Sequence, residues 1–248
     1  MKILVFVNHV PDTETRVKVA ADGKTIDATG VNFMLSPYDE YAVEEALKLR
    51  EKFSGEVVVV SLGGDVHKET IRKALAMGCD KGVLLKDISE RDSFSVARGL
   101  AEYAKEYAPD IVLCGKQSID YDGAQVGGLI AEMLGMPSVS VVVKLEIQSG
   151  SLVAEREIEG GHEIVQAKLP AVIMAQKGLN QPRYPSLKGI MDAKRKPIEE
   201  RPATKVESKV EVISFRKPAP KAAGRIVGTD ASAVGELVRL LHEEAKVI

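Results

Sequence analysis

The sequence predicts an α/β fold in which an open, mostly parallel sheet carries helices on both faces, followed by an antiparallel β addition and an extended C-terminal arm. Three observations predict it. Buried-strand runs alternate four times with amphipathic helical segments before Gly135, the pattern that builds a parallel sheet through crossover helices. Between Val139 and Gln176 the rhythm changes to short β-type runs separated by turn residues, which reads as hairpins added to the sheet. From Gly178 onward Pro182, Pro185, Pro197, Pro202, Pro218 and Pro220 interrupt any core pattern, as in a segment that gains order from a partner. The expected division is residues 1–177 as the α/β domain with its hairpin addition, and 178–248 as a recognition loop and docking arm.

Each element has its own signal. Ile3 to Val7 is a continuous apolar run, as in a strand buried on both faces. The polar stretch from Asn8 to Val31, with Pro11, Gly23 and Gly30, predicts a long loop or short hairpin over the strand ends. Ser36-Pro37-Tyr38-Asp39 starts a helix, with Ser at the N-cap, Pro at the first helical position and an acid three residues on. Ala42, Val43, Ala46, Leu47 and Leu49 supply its apolar face. Strands follow at Glu56 to Leu62, Gly82 to Leu85 and Asp110 to Cys114, with helices at His67 to Met77 and about Ser93 to Tyr107. A fourth helix runs from Ala124 to Leu134, capped by Asp122 and Gly123. Val139 to Ile147, Leu152 to Ile158, Glu163 to Ala167 and Val172 to Ala175 form the β addition, and Ser232 to Ala245 a terminal helix with an apolar stripe.

The totals bound the function. A chain of 248 residues with 45% hydrophobic content builds one or two domains. Thirty-four Lys and Arg against 36 Asp and Glu leave a net charge of -2, which excludes a global field for nucleic acid. Cys79 and Cys114 form no Cys-x-x-Cys pair and sit by apolar runs, so they read as reduced core residues. Met1 leads straight into a strand, and no apolar run reaches the length of a membrane span, so the expectation is a cytoplasmic protein.

In a Rossmann-like sheet, ligands lie outside the carboxyl ends of the strands. Four loops therefore converge on one crevice, at Phe6 to Asn8, Ser36 to Asp39, Leu62 to Asp65 and Gly115 to Gly128. The last is the richest. Gly123, Gly127 and Gly128 let a ligand approach the amides of a helix start, and Lys116 adds a charge, the arrangement that binds phosphates. Spacing alone also fits an ordinary strand-to-helix turn. Ser61-Leu-Gly-Gly-Asp65 resembles the phosphate loop of ATP pyrophosphatases, but it follows the second strand and lacks a Ser after the Asp, so a glycine turn is the better reading. His9, His67, His162 and His242 lack ligand spacing, so no metal site is expected, and no Gly-x-Ser-x-Gly elbow marks a nucleophile. Arg183-Tyr184-Pro185-Ser186-Leu187 precedes a basic segment with Lys188, Gly189, Ile190 and Met191. It reads either as a solvated helix end with two inward apolar residues or as a docking peptide anchored by Leu187.

Four stretches carry a family resemblance: Ser36-Pro-Tyr-Asp-Glu-Tyr-Ala-Val-Glu-Glu-Ala46, Glu69-Thr-Ile-Arg-Lys-Ala-Leu-Ala-Met-Gly78, Gly115-Lys-Gln-Ser-Ile-Asp120, and Ala154-Glu-Arg-Glu-Ile-Glu-Gly-Gly161 continuing to Leu179-Asn-Gln-Pro-Arg-Tyr184. In this order and spacing the chain resembles the β subunit of electron transfer flavoproteins over nearly its whole length. The resemblance implies a heterodimer with an α subunit that holds the redox-active FAD. It implies electron uptake from acyl-CoA-type dehydrogenases, as in fatty acid oxidation, and delivery to a membrane quinone oxidoreductase. By position it places an AMP crevice at Phe6, Ser36, Pro37, Tyr38, Asp39, Leu62 and the loop Gly115, Lys116, Asp122, Gly123, Ala124, Gln125, Val126 and Gly127. The recognition loop falls on Arg183 to Asp192 with Leu187 as anchor. Tyr38 falls where an aromatic approaches the flavin of α, and Glu157 where a carboxylate pairs with an α-subunit arginine.

One departure bears on mechanism. Asp122-Gly-Ala-Gln-Val-Gly127 has Ala124 where the AMP-binding branch carries an amide, and is closer to the electron-bifurcating branch, whose β subunit binds a second FAD. Ala154 to Gly161 and Ile190-Met-Asp-Ala-Lys-Arg-Lys196 resemble the AMP type, and these longer stretches favour a simple electron-transfer carrier, not an enzyme, with the bifurcating subunit and its second FAD as the runner-up. A stand-alone adenine-nucleotide sensor is the alternative of another class, and the partner-seeking arm argues against it.

Overall fold

Strand β1 (Lys2–Phe6) shows why the sheet has two covered faces. Ile3 and Val5 enter one apolar cluster and Leu4 and Phe6 the other, because alternate side chains of a strand point to opposite sides. The computed structural model describes residues 1–89, 91–221 and 223–248. After β1, β2 (His9–Pro11) pairs antiparallel with β3 (Phe33–Leu35) in a small separate sheet, so the polar stretch between them is a loop closed by a short hairpin. Then follow α1 (Pro37–Phe53), β4 (Glu56–Gly63), α2 (His67–Met77), β5 (Lys81–Lys86), α3 (Ser93–Tyr107), β6 (Ile111–Gly115) and α4 (Val126–Leu134). Next come β7 (Ser138–Gln148), β8 (Ser151–Ile158), β9 (Gly161–Lys168) and β10 (Ala171–Ala175), followed by α5 (Leu187–Arg195), β11 (Ile198–Pro202) and α6 (Val234–Glu243).

The main sheet has the order β11-β5-β4-β1-β6-β10-β7-β8-β9. It is parallel from β11 through β7 and antiparallel over β7-β8-β9. Helices α1 and α2 bury Val43, Leu47, Ile71 and Leu75 against one face, and α3 and α4 bury Ala97, Leu100 and Ile130 against the other. Chain direction from β1 runs outward through β4 and β5, then returns to β6 on the other side. The crevice beside β1 is therefore the topological switch point of the sheet.

Three expectations are corrected. β10 is not part of the antiparallel addition; it lies between β6 and β7, parallel to both. Its five residues are all buried, the mark of an interior strand rather than a half-exposed hairpin. The stretch from Gly178 is not extended throughout, because α5 packs on α2 and β11 becomes the sheet edge beside β5. Pro197 and Pro202 bracket and close β11 rather than preclude it, as prolines do at edge strands. Third, α4 begins at Val126, not Ala124. Beyond 202 the chain has no further strand among the described residues, and it is held at Asp92, which accepts from the Lys209 and Val210 amides, and at Tyr121, whose ring stacks on Phe215.

Candidate functional site

A cavity of about 390 Å³ opens at the carboxyl ends of β1, β4 and β6. Asp39 organises its floor. Its buried carboxylate accepts the backbone N–H of Asn8 at 2.8 Å and that of Gly115 at 2.8 Å, tying the ends of β1 and β6 together. Burial pushes its pKa up to about 7, with the two amide hydrogen bonds acting against the shift. Gly115 is required here: a Cβ would lie 2.6 Å from Tyr38 Cβ and 2.7 Å from the Asp39 carboxylate.

The cap chemistry of the sequence reading is corrected at both helices. Ser36 stands at the N-cap of α1 with Pro37 next, but its side chain makes no capping hydrogen bond, and its buried Oγ has no partner among the described residues. Asp39 turns to the strand ends instead. Asp122 accepts from the Gln117 amide, while Gln125 precedes α4 without a side-chain cap. The first turn of α4 thus has no side-chain cap at the positive end of the helix dipole. Gly127 keeps this turn flush with the sheet, since a Cβ would meet Met174 Sδ at 2.5 Å.

Of the crevice residues expected from sequence, Phe6, Asp39, Leu62, Gly115, Lys116, Gly123, Val126 and Gly127 line the cavity. Ser36, Pro37, Tyr38, Asp122, Ala124 and Gln125 do not line it, and Asp122, Ala124 and Gln125 are exposed to solvent. Tyr38 faces Lys116, whose Nζ lies 5.1 Å from the ring centroid. The sequence reading missed several lining residues. Asn8 Nδ2 donates to Ser118 Oγ at 3.0 Å and to Asp120 at 3.1 Å; a polar residue directly after a buried strand was the available signal. His9 and His67, which lack ligand spacing in the sequence, meet at the crevice with ring centroids 5.3 Å apart. Ser61 Oγ donates to the Val7 carbonyl at 2.8 Å, so His67 Nδ1–H donates to Ser61 at 2.9 Å, and burial lowers the His67 pKa to about 4. Arg91, from the loop between β5 and α3, also lines the cavity; an isolated Arg among Asp and Ser gives no sequence signal. No group of three or more potential metal ligands occurs among the described residues.

The recognition segment lies elsewhere. Arg183 is held by Glu44 at 2.8 Å and Glu51 at 2.6 Å, both on α1. Tyr184 and Leu187 beyond it are 95% and 83% exposed. Pro185 links them, and Ser186 caps α5 by accepting the Gly189 amide at 3.0 Å. Lys188, Ile190 and Met191 are exposed on α5, so the reading with two inward apolar residues is corrected: Ala193 is the residue α5 buries. Glu157 is exposed on β8 and accepts from Gln176 Nε2 at 2.9 Å.

Fold and crevice together define a doubly wound α/β protein with a cavity at its switch point and a helix start without a side-chain cap beside it. The family model described as the electron transfer flavoprotein domain matches residues 23–206. Proteins named electron transfer flavoprotein subunit beta are similar over nearly full length. That of Syntrophomonas wolfei is 44% identical over 90% of this chain and 88% of its own. That of Bacillus subtilis is 40% identical over 100% of both, and that of Homo sapiens 39% identical over 96% of both. The chain belongs to the electron transfer flavoprotein family, as a β-subunit member.

Proposed function

We propose that this chain is the β subunit of a heterodimeric cytoplasmic electron carrier that takes electrons from acyl-CoA-type dehydrogenases and passes them to a membrane quinone oxidoreductase. The α subunit holds the FAD, and this subunit holds AMP in the switch-point crevice as a structural ligand. Flavin supplies the one- and two-electron steps when bound, and the protein supplies binding and orientation. AMP is not turned over; it stabilises the folded chain by mass action. The crevice residues fit such a ligand: the α4 amides are free for a phosphate, and the carboxylates of Asp39 and Asp120 offer acceptors to hydroxyl or amine groups. In this reading residues 1–177 carry the nucleotide site, and 178–248 present the recognition loop and the arm that docks on α. Tyr38 then approaches the flavin, and Glu157 holds the mobile FAD-bearing part of α.

The observation that carries the reading is the display of Tyr184 and Leu187. An apolar side chain held 83% exposed four residues after a clamped arginine is a docking anchor, because burial in a partner pocket recovers the hydrophobic energy that solvent exposure forgoes. Leu187→Ala tests it. The variant complex should stay folded and flavin-loaded while electron uptake from a partner dehydrogenase slows by about tenfold or more, about 1.5 kcal/mol of lost anchor burial. Unchanged uptake would remove the anchor role. A second reading, an electron-bifurcating β subunit with a redox-active FAD in the crevice, draws on Ala124 standing where the AMP type carries an amide.

A further inference from the structure

We infer that Arg91 is the counter-charge for the phosphate of the crevice ligand, so that the loop between β5 and α3 forms the phosphate wall of the site. The inference rests on the adenine-nucleotide reading and adds a residue, and a wall, that this reading left out.

Arg91 lines the cavity, and its Nη1 is wholly buried with no hydrogen-bond partner among the described residues. A guanidinium brought out of water without a partner is costly, so such a group marks where an anion is expected. Among the described residues, Asp87 attracts the guanidinium through space, but Asp87 and Asp92 take their hydrogen bonds elsewhere. Asp87 accepts from the Ser89 amide at 2.9 Å and the Ser89 hydroxyl at 2.7 Å. Asp92 caps α3 through the Ser95 amide at 2.8 Å and takes the Lys209 and Val210 amides at 2.6 and 3.0 Å.

The cavity is also polarised. Asp39 and Asp120 stand at the β1 and β6 side, where Asn8 and Ser118 donate to Asp120. An anionic group is repelled from that end, and the hydroxyls or amine of a nucleoside are welcome there. On the opposite wall Ser93, two residues after Arg91, approaches the α4 entry: its Oγ lies 3.6 Å from where a Gly123 Cβ would stand. A phosphate between these walls meets the α4 amides on one side and the guanidinium on the other, the fork geometry that suits phosphate oxygens. Lys116 is turned instead over the Tyr38 ring.

The test uses the full chain with its partner subunit, stripped of nucleotide, titrated calorimetrically with AMP and with adenosine. In the native protein AMP should bind more tightly than adenosine. Arg91→Gln should weaken AMP by about tenfold or more while adenosine shifts less than about twofold, and Arg91→Lys, which keeps a charge but loses the fork, should fall between. The Lys variant keeps the test open should the Gln variant fold poorly. Equal losses for AMP and adenosine, or unchanged AMP binding in both variants, would overturn the assignment while leaving the nucleotide site standing. No binding of either compound to the native complex would overturn the nucleotide reading itself, and the assignment with it.

Discussion

Asp39 shows how one side chain does a job that no local pattern announces. In the sequence it occupies the acid position of a helix start, and the structure spends it on the amides of Asn8 and Gly115, joining two strands that are remote in the chain. The helix start itself was legible, because Ser36 and Pro37 act locally. The role of Asp39 was not, because its partners come from tertiary folding. His67 was missed for the same reason, since its partner Ser61 and its neighbour His9 belong to different loops. A pH signature follows. The folded-state pKa of His67 lies at about 4, below the unfolded value of 6.5, so the unfolded chain binds more protons in that window. Stability should fall as pH drops from about 6.5 to about 4, by roughly 3 kcal/mol at most from this group. Denaturant unfolding of native protein and His67→Gln across that range checks it: the variant should show the shallower acid loss, and parallel curves would contradict the burial argument.

Among the elements, α1 links the two functional regions. Its N-terminal turn borders the crevice, and its outer face carries Glu44, Glu45 and Glu51. Glu44, 7% exposed in its side chain, takes both the backbone N–H and the guanidinium of Arg183. Asn180 donates to the Tyr41 carbonyl and to Glu45. At the far end Arg72 donates to the carbonyls of Ala193 and Lys196. The segment bearing Tyr184 and Leu187 is therefore fixed at both ends before any partner arrives, which lowers the ordering cost of binding. Glu44→Gln should destabilise the fold by about 1–3 kcal/mol, because a buried charge-assisted fork is lost. Glu51→Gln, at an exposed position, should cost under about 1 kcal/mol. Chemical denaturation of both variants measures this, and equal costs would show that burial does not set the strength of the clamp. Periodicity made most elements legible. It failed at β10, where a short apolar run fits either strand role, and at α5 and β11, where proline spacing suggested disorder although the tertiary contacts of α2 and β5 override it.

For the whole molecule, alternation of strand and helix was enough to place a crevice at the carboxyl ends of the strands, while the switch point needed the strand order of the folded sheet. What sequence did not reveal is the third wall, because the loop carrying Arg91 has no motif and reaches the site only through the packing of α3 beside α4. The surface also shows where the molecule is incomplete. Val234, Leu237 and Val238 on α6 are exposed along one face, as are Val210, Ile213 and Ile226 along the arm, which suits a chain that folds against an α subunit. The central claim is a carrier whose β subunit cradles AMP while α holds the flavin. The direct measurement is to purify this chain with its partner subunit, denature the complex and count the released nucleotides by chromatography. The account predicts one FAD and one AMP per heterodimer; two FAD without AMP, or a complex with no AMP at all, would contradict it.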